Sequence, residues 1–238
     1  MIKRLRRRLD AELLSRRYAR LHERYRNHTM VPRMTFAANL QLARMCSSVT
    51  GCVVECGVWR GGMIAAFGEI LGNGREYYLF DSFEGLPEAK AIDGIAALAW
   101  QKNTSGPDYH DNCRAEVSYA REALALAGIQ SANIVPGWFK DTLSHFPDKP
   151  VALLRLDADW YDSTMECLVA LYPKVTPGGL VIIDDYYTWD GCARAVHQYL
   201  AAHGIADRIR CTSEGVCFLR KEERADTSAT DAVAGERR

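Results

Sequence analysis

Two short apolar runs that each end in carboxylates constrain this chain more than any other feature. Val151 to Leu156 is apolar apart from Arg155, follows Pro150, and reads as a mostly buried parallel strand. It runs into Asp157 and Asp159. Side chains two residues apart on an extended chain point to the same side, so these carboxylates can converge on one point. A second apolar run, Gly179 to Ile183, ends in Asp184 and Asp185. If the two strands are parallel neighbours, their ends lie roughly 5 Å apart. Three or four carboxylates then share one small volume. Such crowding is unfavourable unless a cation or a proton balances it, and an all-oxygen donor set suits a hard divalent cation.

Strands of this kind need a sheet around them, and the preceding sequence supplies one. Cys52 to Cys56 is an apolar strand interrupted by Glu55; it leads into Gly57, Trp59, Arg60, Gly61 and Gly62, then a helix from Met63 to Leu71. A strand that meets glycines and then a helix begins a nucleotide-binding βα unit. The glycines let a ligand approach the backbone, and the helix N-terminus offers free N–H groups. Tyr77 to Phe80 is a second strand ending at Asp81, where an acid can accept hydrogen bonds from both hydroxyls of a ribose. The other reading of Glu55 and Asp81 is capping of nearby backbone N–H groups. Residues 84–111 mix Gly, Pro and aromatics with an apolar patch from Ile95 to Trp100, and so long a connection reads as a functional lid. A helix from Asn112 to Ala127, stopped by Gly128, leads to a third strand, Ala132 to Val135. That strand delivers Trp138 and Phe139, each of which either stacks on a flat base or joins the core. Helices from Ser163 to Tyr172 and from Cys192 to His203 follow. Arg208 to Cys211 and Val216 to Leu219 flank Ser213-Glu214-Gly215 as an antiparallel hairpin.

At 238 residues the chain suits one large α/β domain. Thirty basic and thirty acidic residues cancel, so bulk charge gives no reason to expect a nucleic-acid partner. The first 26 residues nevertheless hold ten Lys or Arg and only three acids. Leu5, Leu9, Leu13, Tyr18, Leu21 and Tyr25 recur there at helical spacing, which predicts an amphipathic helix with a basic outer face. Such a helix covers the domain or pairs with a second subunit, or its charge meets an anionic membrane or substrate. A second helix is expected from Met34 to Ser48, with Phe36, Leu40 and Met45 inward. The expected organisation is a helical lid or oligomerisation segment over 1–48, a catalytic domain over 49–220 and a disordered tail over 221–238. Eight scattered cysteines without zinc-site spacing read as buried thiols of a reducing cytosol. No run suits a membrane span and the basic start lacks a signal-peptide core, so a cytoplasmic protein without stable membrane insertion is expected.

Five alternating strand–helix units closed by a C-terminal hairpin resemble the class I S-adenosylmethionine-dependent methyltransferase fold. That fold is a Rossmann-like, mostly parallel seven-stranded sheet with helices on both faces. More narrowly, the chain is similar to the macrocin, mycinamicin and novobiocin sugar O-methyltransferase family. The matching pieces are Glu55-Cys56-Gly57-Val58-Trp59-Arg60-Gly61-Gly62, Phe80-Asp81-Ser82-Phe83-Glu84-Gly85-Leu86-Pro87, Gly137-Trp138-Phe139-Lys140-Asp141, Leu154-Arg155-Leu156-Asp157-Ala158-Asp159-Trp160-Tyr161 and Asp184-Asp185-Tyr186. They come in the family's order, and the resemblance as a whole extends from Thr29 to about Phe218.

The resemblance implies methylation of a sugar hydroxyl of a glycosylated natural product or glycan, with S-adenosylmethionine and magnesium as cofactors. The acceptor would present vicinal hydroxyls. Carried over by position, the resemblance implies Asp157, Asp184 and Asp185 as metal ligands and Asp159 as general base. Asp81 and Ser82 would hold the cofactor ribose, and Glu55, Gly57, Arg60, Gly61 and Gly62 would hold its methionine end. Trp138 is counted with the cofactor-binding residues, where it either stacks on the base or is buried in the core. His110, or Asp111, in the lid is the other candidate base, and Asp159 is otherwise a cap for the helix near Ser163. Ala158 stands where the family has glycine, and 84–111 does not align, so acceptor identity is where the chain departs from the pattern. A second enzyme class also fits one piece: metal-dependent glycosyltransferases carry an Asp-x-Asp like Asp157-Ala158-Asp159, but not Glu55-Cys56-Gly57 or the terminal hairpin. The N-terminal helices lead to the expectation of a homo-oligomer.

Overall fold

The computed structural model describes residue 13 and residues 16–223, so most of the basic start and most of the charged tail lie outside the described residues. Five parallel strands, β1 (Cys52–Cys56), β2 (Tyr77–Asp81), β3 (Ala132–Pro136), β4 (Val151–Leu156) and β5 (Val175–Ile183), are completed by β6 (Arg210–Cys211) and β7 (Cys217–Arg220). The sheet order is β3-β2-β1-β4-β5-β7-β6, with β7 antiparallel to both neighbours. This is the mostly parallel seven-stranded sheet that the alternating pattern predicts.

Alternation along the strands divides the interior in two. Val53, Leu79, Leu153 and Leu180 face a core shared with α1 (residues 16–25), α2 (Arg33–Met45) and α3 (Gly62–Leu71). Their chain neighbours Val54, Phe80, Leu154 and Val181 face the opposite core. Helix α4 (Ile95–Lys102) lies in the lid segment, and α5 (Val117–Leu126) adds Ala120 and Leu124 to the first core. Opposite it, after the short α6 (Phe139–Thr142), α7 (Tyr161–Leu171) and α8 (Asp190–Ala202) contribute Leu168, Leu171, Val196 and Tyr199. Each such side chain contributes about 1.5–3 kcal/mol when fully buried. Strands buried on both faces explain why their sequences read as continuous apolar runs.

The chain runs outward from β1 to β2 and β3, then returns to place β4 on the other side of β1. The carboxyl ends of β1 and β4 therefore bound a topological switch point, where open α/β sheets form their ligand crevice. Gly57, just past β1, sits against the backbone of Asp157, just past β4. At φ +82° it has no side chain, and a Cβ there would stand 1.7 Å from the Asp157 carbonyl oxygen.

Two local expectations are corrected. Met45 is 48% exposed, whereas Phe36 and Leu40 are buried. At 3.6 residues per turn it lies roughly half a turn round from Phe36, on the outer face. Helix α5 begins at Val117, five residues later than expected, because His110, Asp111, Asn112 and Cys113 all adopt positive φ, between 46° and 61°. A non-glycine left-handed turn costs about 1–2 kcal/mol per residue and needs outside support. Asn112 supplies it. Its carbonyl accepts from the Leu86 N–H at 3.0 Å, and its side-chain amide donates to the Leu86 carbonyl at 2.8 Å.

Candidate active site

The carboxyl ends of β1, β2, β4 and β5 open into a cavity of about 640 Å³, within the range of small-molecule sites. Its acidic side is assembled as the sequence suggests. Parallel pairing sets Leu156 beside Ile183, so the residues that follow, Asp157 and Asp184, emerge together. One oxygen from each of Asp157, Asp184 and Asp185 lies within 4.8 Å of the others.

Arg155 is the counter-charge that holds this group in order. It is 1% exposed and stands directly across from Glu55 in the β1–β4 register. Its Nη1 donates to Glu55 Oε1 at 2.7 Å and to Asp157 Oδ2 at 2.8 Å, while Nη2 lies 2.7 Å from Asp184 Oδ1. One guanidinium thus spans three carboxylates. Buried charges persist only when paired in this way, and Arg offers several donors in one plane. Even so, the negative charges outnumber it. Burial, reinforced by Asp157 and Asp184 against the pull of Arg155, raises Glu55 to about 8. Burial and then Asp184, opposed by Arg155, bring Asp157 to about 6. Asp185 is pushed well above the usual carboxylate range by burial and by Asp159, Asp157 and Asp184.

Asp159 sits apart from the strand geometry expected for it. β4 ends at Leu156, and Asp159 takes φ +56° in the following turn. Its N–H donates to Asp185 Oδ2 at 3.1 Å, and its Oδ1 accepts from Trp189 Nε1 at 3.0 Å. Burial, then Asp157, raise it to about 8 against the opposing Trp189 hydrogen bond. The side chain does not cap α7. That acceptor comes from the lid: buried Asp93 takes the Tyr161 N–H on Oδ1 and the Lys90 N–H on Oδ2, both at 2.7 Å.

The opposite wall of the cavity carries Gly57, Asp81, Ser82 and Trp138. Asp81 Oδ2 accepts from the Val58 and Trp59 N–H groups at 2.6 and 2.7 Å, and Oδ1 accepts from Phe83 N–H at 2.6 Å. The capping role is therefore present, at the mouth of the cavity. Burial raises Asp81 against these three hydrogen bonds. Trp138 forms part of the wall, whereas Phe139 also packs against the second core. Glu55, Arg60, Gly61 and Gly62 lie behind the wall. Arg60 stacks on Trp59 and Tyr119 and donates to the Asn27 carbonyl, and the Gly62 N–H donates to the His28 carbonyl. In this arrangement they brace the glycine turn. His110 reaches the cavity with its ring edge-on to Trp59, 6.4 Å between centroids, whereas Asp111 stays outside the lining.

Sequence reasoning missed Arg155 and Asp93. A lone Arg in one buried strand and a lone Glu in another was the available signal for the first. Asp93 left none, because nothing local marks a lid acid as the cap of a helix 68 residues away.

A model of the TylF macrocin-O-methyltransferase family matches residues 10–221. The chain is 36% identical over 171 residues to the 8-demethyl-8-(2,3-dimethoxy-alpha-L-rhamnosyl)-tetracenomycin-C 4'-O-methyltransferase of Streptomyces olivaceus. That alignment covers 69% of this chain and 64% of the relative, so it spans just under two thirds of that enzyme's length. The mycinamicin III 3''-O-methyltransferase of Micromonospora griseorubida is 34% identical over 203 residues, with 81% of this chain and 78% of the relative covered. Among solved structures, the O-methyltransferase NovP superposes with a TM-score of 0.68 at 30% identity, covering 82% of this chain and 83% of its own.

Proposed function

Because the chain belongs to the TylF macrocin-O-methyltransferase family, we propose that it transfers a methyl group from S-adenosylmethionine to a sugar hydroxyl of a glycosylated small molecule. In this reading Asp157, Asp184 and Asp185 hold a divalent cation, magnesium by preference. The observation that carries it is the gathering of those three carboxylates, oxygens within 4.8 Å of one another, at the switch point beside Gly57. They fit the ion: the donors are hard oxygens, partly buried, and excess negative charge surrounds them. One relative's name specifies a rhamnosyl-bearing acceptor, which supports a sugar hydroxyl here.

The chemistry asks for three services. A sugar hydroxyl is too weakly acidic to ionise unaided, so a base must take its proton as the oxygen attacks the methyl carbon. Asp159 serves as that base through Oδ2, since Oδ1 is held by Trp189. A magnesium ion held by Asp157, Asp184 and Asp185 would supply charge stabilisation for the developing alkoxide and help orient the acceptor. Arg155 keeps Asp157 and Asp184 aimed while leaving each a second oxygen free. Asp81, Ser82, Gly57 and Trp138 bind the nucleoside and sulfonium end, so that the methyl group faces the carboxylates; in-line positioning supplies much of the rate. His110 is the alternative base from the lid. The reading extends to a homo-oligomer, and to a reducing cytoplasm, which eight free thiols support, although only six are buried, Cys113 being half-buried and Cys211 exposed. A glycosyltransferase reading of Asp157-Ala158-Asp159 has no further support, because the acids of β5 and the glycine turn fall outside that motif.

The test is transfer of labelled methyl from S-adenosylmethionine to a panel of glycosides. Label in a glycoside product is expected, abolished by EDTA and restored by magnesium. Undiminished transfer in EDTA removes the cation from the reading, and transfer to phenols alone removes the sugar.

A further inference from the structure

Three of the five tryptophans meet in one corner of the cavity. The rings of Trp160 and Trp189 are 5.3 Å apart, and Trp100 stands 6.2 Å and 6.0 Å from them. Trp160 is buried and ties its indole N–H to the Pro87 carbonyl at 2.9 Å, so it acts as fixed backing. Trp100, on α4, and Trp189, just before α8, are half-buried and line the cavity. The lid is tied down beside Trp100, whose own ring packs against Tyr109 at 5.5 Å. Gln101 donates to the Pro87 carbonyl and to Asn112 Oδ1, and accepts from the Ala89 N–H. Trp189 is fastened to Asp159. This aromatic surface therefore ends at an oxygen of the carboxylate that takes the proton in the reading above. Beyond the rings the lining turns charged, with Glu88, Lys90, Asp108 and Asp162, of which Lys90 and Asp162 form an ion pair.

An aromatic surface bordered by charged groups suits a ring whose face and edge differ. A pyranose shows C–H bonds on one face and hydroxyls around its edge. Its C–H hydrogens carry the partial positive charge that the negative face of an indole attracts. A flat arene would press its second face and rim against charged groups and strip their water without replacing its hydrogen bonds. We propose that Trp100 and Trp189, their ring planes inclined at 60°, form an angled platform that holds the acceptor's sugar ring by its C–H face, with the ring's vicinal hydroxyls turned toward Asp159 and the three clustered acids. This rests on the sugar O-methyltransferase reading. Because Trp100 belongs to the lid, acceptor choice is then built into the segment that departs from the family pattern.

Saturation-transfer NMR on the full chain, with S-adenosylhomocysteine and magnesium present, tests the platform. The probes are methyl α-L-rhamnopyranoside and catechol. Saturation strongest on the ring C–H protons of the glycoside is expected, lost in Trp100→Ala and recovered in Trp100→Phe. Calorimetric affinity for S-adenosylhomocysteine reports that each variant is folded. With any glycoside the wild-type protein methylates, Trp100→Ala should lower kcat/KM about tenfold, carried by KM. An unchanged KM overturns the platform and leaves the sugar O-methyltransferase reading standing. A catechol signal with a silent glycoside, or silence from both, also overturns it. Methylation of catechol with no glycoside product fails the underlying reading instead.

Discussion

Asp157 and Asp159 are two residues apart and both acidic, yet they keep different company. Asp157 is bonded to Arg155 and clusters with Asp184 and Asp185, whereas Asp159 is bonded to an indole N–H and faces the aromatic corner. Their replacements should therefore fail differently. Asp157→Asn should weaken magnesium binding at least about tenfold in calorimetry, and excess magnesium should restore part of the turnover. Asp159→Asn should keep both magnesium and S-adenosylhomocysteine affinity and lose about a hundredfold in turnover, the usual contribution of a placed base. Near-normal turnover of Asp159→Asn at saturating magnesium would pass the base role to His110. The acids themselves were legible in the sequence because nothing apolar explains them. Their different partners were not, because Asp159 is held by Trp189, 30 residues further on.

At the level of elements, the site depends on how closely β1 and β4 approach and how firmly the lid is fastened. Gly57→Ala would drive a Cβ into the Asp157 carbonyl at a backbone angle that only glycine adopts freely. The two strand ends must then part, so unfolding in urea should show a loss of about 3 kcal/mol or more, with weaker S-adenosylhomocysteine binding. Wild-type stability in Gly57→Ala would mean that the turn relaxes at no cost to the site. For the lid, Asp93→Ala leaves the Lys90 and Tyr161 N–H groups without their acceptor. A loss of about 1–3 kcal/mol follows from such orphaned groups, and amide exchange over residues 84–102 should quicken. Exchange as slow as in the wild type would show that Asp93 does not fasten the lid. The strands and most helices were readable from apolar period and glycine stops. The late start of α5 was not, because a left-handed turn at 110–113 is held by Leu86, outside its own sequence window.

Taken as a whole, the molecule stores negative charge around its cavity, and this makes its stability depend on pH and, in the proposed reading, on a cation as well. Burial and the neighbouring acids push Asp157 up to about 6 and Asp159 up to about 8, both above the roughly 3.9 of an unfolded chain. Between those values the folded protein holds protons that the unfolded chain has released, so stability falls as pH rises toward 8. In the proposed reading a divalent cation replaces the protons. Thermal melts with EDTA and with magnesium should therefore diverge as pH goes from 6 to 8, the magnesium-bound Tm exceeding the other by a growing margin. A margin independent of pH would separate the cluster from cation binding. What the sequence determined by itself was the βα succession and the placing of acids at two strand ends, since burial period, glycine turns and strand termini are local properties of the backbone. Tertiary structure alone decided that Arg155 answers Glu55, 100 residues away, that Asp93 caps α7, and that Trp100 meets Trp189 beside Asp159. Those partners are chosen by strand order and lid packing, where the free energy of the whole chain selects which distant side chains share one buried volume.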